Sequence, residues 1–113
     1  MHELAITQSV FDIVLDQAKQ LGAKKVGAVN LTIGEMTGVV GDSVRFYLEL
    51  LSKDTIVEKA VVNIKSVPAQ AKCRECDKQF TLVEFRWMCP DCGGINLEVT
   101  GGTELFVESI EVE

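Results

Sequence analysis

Four cysteines in this chain are spaced in a way that suits a single metal ion. Cys73 and Cys76 are separated by two residues, and so are Cys89 and Cys92. Each two-residue turn can direct both of its sulfurs at one position, so two such pairs provide the four thiolates of a tetrahedral site. The pattern predicts a metal centre with Zn(II) as the preferred ion, and iron is the less favoured alternative.

The predicted metal has a structural and not a catalytic role. Four protein ligands fill a tetrahedral ion and leave no position for water. Disulfides are the competing use of these cysteines, but they are uncommon in a protein that is not exported. A redox dithiol would need only one pair, usually beside a βαβ unit. Gly93 follows the second pair, at a position where a tight turn favours positive φ. Asp77 occupies the equivalent position after the first pair, and Asp can also adopt positive φ.

A second group with metal chemistry lies at the N-terminus, in the stretch MHELAITQS, which contains the only histidine of the chain. The amine of Met1, the His2 imidazole and the main-chain nitrogens of His2 and Glu3 form a compact set of nitrogen donors. Square-planar nitrogen ligation suits Ni(II) or Cu(II). Glu3 is either an outer ligand or a residue that complements the helix dipole. From its position alone, His2 could also be an ordinary surface residue.

Hydrophobic periodicity predicts the helices that position these groups. One helix is predicted from Leu4, with apolar residues on one face as far as Leu21 and a stop at Gly22. Amides at positions 2 and 3 would then lack intrahelical acceptors, so a metal could bind them without breaking the helix. A second helix is predicted after a cap at Asp42 or Ser43. Its core-facing residues are Val44, Tyr47, Leu48 and Leu51.

Strands are indicated where apolar and polar residues alternate. A half-buried strand is predicted over 29–33, and a second over 57–67. A last strand is predicted over 103–112. Its alternation slips between Val107 and Ile110, which indicates a β-bulge there.

This order of elements predicts an α+β fold, with two helices packed on a small, mainly antiparallel sheet. The segment 69–101 is inserted into it, contains all four cysteines, and is expected to be a zinc-ribbon-like module. Residues 1–68 and 102–113 are therefore predicted to form one domain and residues 69–101 a zinc-binding domain. A segment of about 33 residues is too short to fold without a staple, so the metal should supply much of its folding free energy.

The charge and hydropathy of the chain exclude several classes of protein. There are 17 Asp and Glu against 11 Lys and Arg, and the formal net charge is −6. Binding of nucleic-acid phosphates needs a basic stripe, whereas the basic residues here are scattered, so no nucleic-acid partner is expected. No apolar run approaches the roughly 18 residues of a membrane span, and no signal-peptide pattern is recognised. We therefore expect a cytoplasmic protein without a membrane partner.

Several stretches together resemble the HypA family of nickel metallochaperones. They are the opening MHE, GAKKV followed by VNLTIGEM, SVPAQAKCREC, CPDCGG and the ending GGTELFVESIEVE. The resemblance covers nearly the whole chain and joins the N-terminal MHE to a four-cysteine module. It implies a protein that delivers nickel for maturation of [NiFe]-hydrogenase, with the GTPase HypB, to the hydrogenase large-subunit precursor. In some organisms such proteins also serve urease.

The resemblance also implies the site residues. Nickel, the transferable cargo, would be bound by Met1, His2 and Glu3, and structural zinc by the four cysteines. Some relatives have further histidines in the zinc module that contribute to nickel binding, but this chain has none there. The complete nickel donor set, and whether the chain forms a homodimer, are thus left open.

Metal transfer, and not catalysis, is the function that the resemblance implies. The main alternative is a zinc-ribbon adaptor that binds a protein partner through the α+β domain and has no nickel affinity. A zinc hydrolase is disfavoured, because the chain has no second histidine and the cysteine site no open position.

Overall fold

A computed structural model of the chain describes residues 3–83 and 86–113. Its helices are α1 (Glu3–Gln20) and α2 (Gly41–Ser52). Its strands are β1 (Val26–Gly34), β2 (Val61–Val67), β3 (Gln70–Cys73), β4 (Gln79–Thr81), β5 (Leu97–Gly101) and β6 (Leu105–Val112). A single 3₁₀ turn, Glu35–Thr37, follows β1. Neither described helix combines the length and the apolar character that crossing a bilayer requires.

These elements form two groups, each with its own sheet and hydrophobic core. In the first group, which we call the body, α1 and α2 pack on a sheet with the strand order β2-β1-β6. In the second group, which we call the cysteine lobe, the strand order is β4-β3-β5. The predicted α+β fold, with two helices on a small sheet and an inserted four-cysteine module, is confirmed.

The body sheet is mixed. β1 and β2 are parallel, whereas β1 and β6 are antiparallel. The parallel pairing follows from the helical connection between the two strands. Helix α2 lies between β1 and β2 and returns the chain to the end of the sheet where β1 started. In the cysteine lobe, β3 pairs antiparallel with both β4 and β5.

Helix α1 ends where the sequence indicates. Gly22 has a φ of 65°, and its N–H donates to the carbonyl of Lys19, a glycine C-cap. The prediction is wrong for Leu4 and Leu21, whose side chains are 50% and 64% exposed. Leu4 lies in the first turn and Leu21 beyond the last helical residue. At these two ends the rest of the body covers less of the helix face. The buried residues of α1 are Thr7, Val10, Phe11, Val14 and Ala18.

Helix α2 begins two or three residues earlier than predicted, at Gly41. Its N-cap is Val40, which provides no side-chain hydrogen bond, so the predicted cap at Asp42 or Ser43 is wrong. The carboxylate of Asp42 instead accepts a hydrogen bond of 3.1 Å from Arg45. The strand predicted to start at Val57 starts four residues later, because the chain between α2 and β2 forms turns, although the Val57 side chain is buried.

The predicted bulge in the last strand is confirmed. β1 pairs Asn30 with Ser109 and Leu31 with Val107, so Glu108 is the extra residue of β6. One extra residue reverses the alternation of side chains along a strand, which explains the slip seen in the sequence. The Glu108 carboxylate accepts a hydrogen bond of 2.9 Å from the hydroxyl of Thr32, a nearly buried residue of β1.

The body and the cysteine lobe meet through close main-chain contacts. The N–H of Gly34 donates to the carbonyl of Glu104 at 2.6 Å, and the N–H of Met36 donates to that of Gly102 at 2.7 Å. The side chain of Met36 packs against the core of the cysteine lobe. The molecule is elongated, with a radius of gyration of 17.5 Å, compared with about 13 Å for a compact chain of this length.

A substitution at this junction should be strongly destabilising. A Cβ at Gly34 would lie 2.1 Å from the main-chain oxygen of Gly102, which cannot move without shifting the crossing strand. We expect Gly34→Ala to lower the free energy of unfolding by about 2 kcal/mol or more, the cost of overpacking at a rigid contact. Urea denaturation followed by circular dichroism measures this.

Gly27→Ala is the matched control for the same strand. A Cβ at Gly27 would lie 3.7 Å from the main-chain oxygen of Glu111, an ordinary van der Waals contact. We expect a change of no more than about 0.5 kcal/mol. Equal losses of stability for the two variants would contradict the junction as the cause.

Candidate metal centres

The four cysteines converge in the cysteine lobe. All four sulfurs lie within 4.8 Å of one another, and the Sγ atoms of Cys73 and Cys92, and of Cys76 and Cys89, are 3.6 Å apart. Four sulfurs at about 2.3 Å from a tetrahedral zinc are separated by about 3.8 Å, so the cluster has the dimensions of a zinc site. Cys73 and Cys89 are buried, whereas Cys76 and Cys92 are exposed. All four are free thiols and none forms a disulfide.

Each cysteine pair belongs to a turn with the same hydrogen bonds. In the first turn, the N–H of Asp77 donates to the Cys73 carbonyl at 2.8 Å, and the N–H of Cys73 donates to the Lys78 carbonyl at 2.9 Å. Asp77 has a φ of 62°, as the sequence predicted for this position.

The second turn repeats this arrangement around Cys89. The N–H of Gly93 donates to the Cys89 carbonyl at 3.0 Å, and the N–H of Cys89 donates to the Gly94 carbonyl at 2.8 Å. Gly93 has a φ of 71°. The local geometry therefore follows from the repeated spacing, and each turn holds one buried and one exposed sulfur.

Main-chain N–H groups near the sulfurs are functional groups that the sequence reasoning did not identify. Hydrogen bonds reach Cys76 from Lys78 and Cys92 from Gly94, in each case from the second residue after the cysteine. Such N–H groups stabilise thiolates, which the metal requires. Their positions could have been anticipated from the repeated turn, because the N–H groups of equivalent residues in two equivalent turns are directed at equivalent sulfurs.

The surroundings give the thiols different acidities. The N–H of Cys92 is the main influence that lowers the pKa of Cys89 to about 7. For Cys76 the N–H of Lys78 also acts to lower the pKa, but the neighbouring thiols, chiefly Cys89, and desolvation outweigh it and raise the pKa to about 12. A divalent cation displaces the remaining protons when it binds, so its affinity for the cluster decreases as pH falls.

The donor set, the sulfur separations and the N–H groups all fit a four-thiolate zinc site. The four cysteines would hold the ion, and zinc would supply a covalent crosslink between the two turns. Four-cysteine iron has the same ligand type, and the geometry does not discriminate between the two ions. Among the described residues of the lobe the core is small, and two of its six buried members, Cys73 and Cys89, belong to the cysteine cluster.

The predicted nickel ligands at the N-terminus are only partly within the described residues. Met1 and His2 lie outside them. Glu3 is the first residue of α1, and its carbonyl accepts a hydrogen bond of 2.5 Å from the hydroxyl of Thr7, which is fully buried. The helix therefore starts at Glu3, the last of the predicted donors, and the N–H groups of its first turn have no acceptor within the helix.

The first turn of α1 lies at the end of the body that joins the cysteine lobe. A short turn, 21–25, connects α1 to β1, and the two elements share one core, so they run in opposite directions. The start of α1 is consequently at the same end as the last residue of β1, Gly34, where the junction to the cysteine lobe begins.

Comparisons with known proteins agree on one family. A family model described as "Hydrogenase/urease nickel incorporation, metallochaperone, hypA" matches residues 1–112. The chain is 42% identical over 113 residues to the hydrogenase maturation factor HypA of Dehalococcoides mccartyi strain 195. The alignment covers all of this chain and 95% of that protein. The chain is 41% identical to the HypA of Caldanaerobacter subterraneus subsp. tengcongensis, with both chains fully covered.

Solved structures with the same fold support the architecture. The solution structure of the nickel metallochaperone HypA from Helicobacter pylori matches with a TM-score of 0.66 at 24% identity, covering 99% of this chain and 97% of that one. A second structure, described as the solution structure of HypA protein, matches with a TM-score of 0.71 at 23% identity over 100% of this chain and 97% of that one.

Proposed function

The chain belongs to the HypA family of nickel-incorporation metallochaperones, and from this premise we propose that it binds Ni(II) at its N-terminus and delivers it for maturation of [NiFe]-hydrogenase. The observation that carries the proposal is the family match over residues 1–112, which includes the predicted nickel terminus and the cysteine cluster. The cysteine cluster serves as a structural zinc site, because four thiolates leave no position for exchange of cargo.

The proposed nickel donors are the Met1 amine, the His2 imidazole and the main-chain nitrogens of His2 and Glu3. The start of α1 at Glu3 supports this set, since these nitrogens precede or begin the helix and are not needed as intrahelical donors. Square-planar nitrogen ligation of this kind suits Ni(II).

Delivery requires a site that exchanges its ligands, and a terminal site can do so one ligand at a time. We propose that HypB and the hydrogenase large-subunit precursor are the partners in this transfer, in the cytoplasm, and that urease is a second client where it is present. Residues 1–68 and 102–113 would form the nickel-binding domain and residues 69–101 the zinc-binding domain. In this role the protein moves a metal and catalyses no reaction.

Chemical blocking of the N-terminal amine tests the proposed donor set. An α-amine has a pKa of about 7.7–8.0 and an imidazole about 6.5, and both must be unprotonated to bind metal. We therefore expect nickel affinity to fall as pH decreases from about 8 to about 6. Acetylation, or a single added N-terminal residue, should weaken binding strongly and remove the part of this pH dependence that belongs to the amine. Isothermal titration of untagged protein measures both effects.

The fold and zinc content of the acetylated protein serve as the control and should be unchanged. If native and acetylated protein bind nickel equally, with the same pH dependence, the amine is not a ligand. The zinc-ribbon adaptor alternative predicts no specific nickel binding to either form.

A further inference from the structure

Strand β2 has an open edge in the described part of the chain. It pairs only with β1, and no other strand lies on its outer side. The N–H of Gly34 in β1 donates to Glu104, on the β6 side of the sheet, so alternate residues of β1 from Ala28 to Gly34 face β6 and those between them face β2. With the parallel register, the main-chain groups of Val62, Ile64 and Ser66 must then face outward.

A groove of about 500 Å³ runs beside this open edge. The segment that follows β1 forms one wall, including Gly38, Val39 and Gly41. The ends of β1 and β2 form the rest, through Ile33, Gly34, Ile64 and Ser66. Gly41 leaves room here, because a Cβ at this position would lie 3.3 Å from the Cδ1 of Ile64. The walls are mostly apolar and the outward main-chain groups are polar, a combination that suits an extended peptide segment.

Opposite charges lie near the two ends of β2. At the start of β2, the Arg45 guanidinium donates to the main-chain carbonyl of Val62 at 3.2 Å, which agrees with the outward direction derived above. Past the end of β2, the carboxylate of Glu35 lines the groove and accepts a hydrogen bond of 3.4 Å from the N–H of Ala69. A segment along this edge would thus meet the Arg45 guanidinium, which also pairs with Asp42, at one end and the Glu35 carboxylate at the other.

We propose that this groove binds an extended segment of a partner protein, which adds to the sheet as a strand antiparallel to β2. Antiparallel addition places the N-terminal end of the segment near Glu35 and its C-terminal end near Arg45. The matching segment has a basic residue first, small or β-branched residues in the middle and an acidic residue last. The proposal does not depend on the nickel function.

A second copy of the chain fits this edge less well. A two-fold axis through Ile64 would bring Gly41 and the start of α2 of both copies to the same face of the sheet beside the axis. The groove walls of the two copies would then have to be accommodated side by side at the axis. A single extended segment brings no such wall.

The other edge of the body sheet is protected against strand addition. β6 has a bulge at Glu108 and also carries Glu111, and Glu104 and Glu113 flank it, features that discourage pairing with another strand. β2 has a regular register from Val61 to Val67 and a single charged residue, Lys65. Strand addition is therefore expected at β2 and not at β6.

The test uses two synthetic peptides and the full-length, ¹⁵N-labelled, zinc-loaded protein. The first peptide, acetyl-KTVTVTE-amide, has the proposed polarity, and the second, acetyl-ETVTVTK-amide, has the same composition with the charges exchanged. We expect the first peptide to shift and protect the amides of Ile64 and Ser66 in NMR titrations. The second should bind about tenfold more weakly, because it meets like charges at both ends in the antiparallel orientation and recovers the ion pairs only by adding parallel to β2.

Variants locate the contact. Arg45→Ala and Glu35→Gln should each weaken the first peptide about threefold to fivefold, the range for an exposed ion pair. Ser66→Pro removes one outward N–H and should abolish binding, while Arg74→Ala, in the cysteine lobe, is the control and should have no effect. The double variant Arg45→Glu/Glu35→Lys should prefer the second peptide.

Three results would overturn the proposal. The first is the absence of peptide-induced shifts at Ile64 and Ser66. The second is equal binding of the two peptides, which would mean that Arg45 and Glu35 do not select an antiparallel segment. The third is protection of the same two amides by increasing protein concentration alone, which would identify a second copy as the occupant.

Discussion

Replacing His2 by alanine is expected to abolish specific nickel binding and hydrogenase maturation while the fold and the zinc content remain unchanged. The imidazole is the only histidine donor in the chain, so no other imidazole can replace it. The residue precedes α1, whose core contacts begin at Thr7. The free energy of unfolding should therefore change by no more than about 0.5 kcal/mol, the usual range for surface substitutions.

Isothermal titration with Ni(II) compares the untagged parent, His2→Ala and the control Gln17→Ala. Gln17 is an exposed residue of α1 whose side chain lies outside the buried face, so the control should bind nickel as the parent does. Hydrogenase activity in cells that contain each variant provides the second measurement. Parent-like nickel affinity in His2→Ala would refute the assignment of the imidazole as a ligand.

The two measurements also separate the metallochaperone from the adaptor. For an adaptor, none of the three proteins binds nickel specifically, and maturation does not depend on position 2. For the metallochaperone, loss of affinity and loss of maturation occur together in His2→Ala and in neither of the other proteins.

The features that could be predicted from the sequence are those that depend on local geometry. Two-residue spacing places two sulfurs on one turn, so the cysteine cluster and the conformation of Asp77 follow from a few adjacent residues. The bulge at Glu108 could likewise be seen in the alternation of its neighbours. The glycine stop after α1 depends only on the freedom of Gly22 to adopt positive φ.

The features that could not be predicted depend on residues far apart in the chain. The junction requires Gly34 and Gly102 to approach each other across the two groups, and the packing of Met36 into the cysteine lobe depends on that approach. Likewise, periodicity shows which face of α1 is apolar but not how much of it is covered, and so Leu4 was assigned incorrectly. The open edge of β2 has no local signature, because it depends on which strands the sheet leaves unpaired.

The second large effect is expected when the cysteine cluster loses its metal. In the part of the cysteine lobe that the structure describes, the buried core consists of Ala69, Ala71, Cys73, Leu82, Cys89 and Leu97, with Met36 and Phe80 packed against it. This is too little apolar area to fold such a short segment, whereas a structural zinc contributes apparent binding free energy on the order of 10 kcal/mol. We expect Cys73→Ser and Cys92→Ser each to unfold β3, β4 and β5, while the core of the body persists.

The two substitutions differ in a way that identifies the cause. Cys73 is fully buried and is part of the core, whereas Cys92 is exposed and would contribute only as a metal ligand. If zinc holds the lobe together, both variants lose the structure of the lobe to a similar extent, and removal of zinc from the parent with a chelator has the same effect. If packing holds it together, only Cys73→Ser unfolds the lobe and Cys92→Ser resembles the parent.

Amide hydrogen exchange resolves these outcomes residue by residue. The amides of β3 and β5, which pair through Ala71 and Val99, should lose protection when zinc is removed. Those at the centre of the body, Val29 and Leu31, should keep it, because their core contains none of the cysteines. The Gly34 amide, which donates to the Glu104 carbonyl, reports on the junction. Its protection should fall between those of the two groups, since the lobe anchors only one side of the junction. Undiminished protection of β3 and β5 in the zinc-free parent would show that the lobe folds without its metal, and the site would then have to be considered for a role other than a structural one.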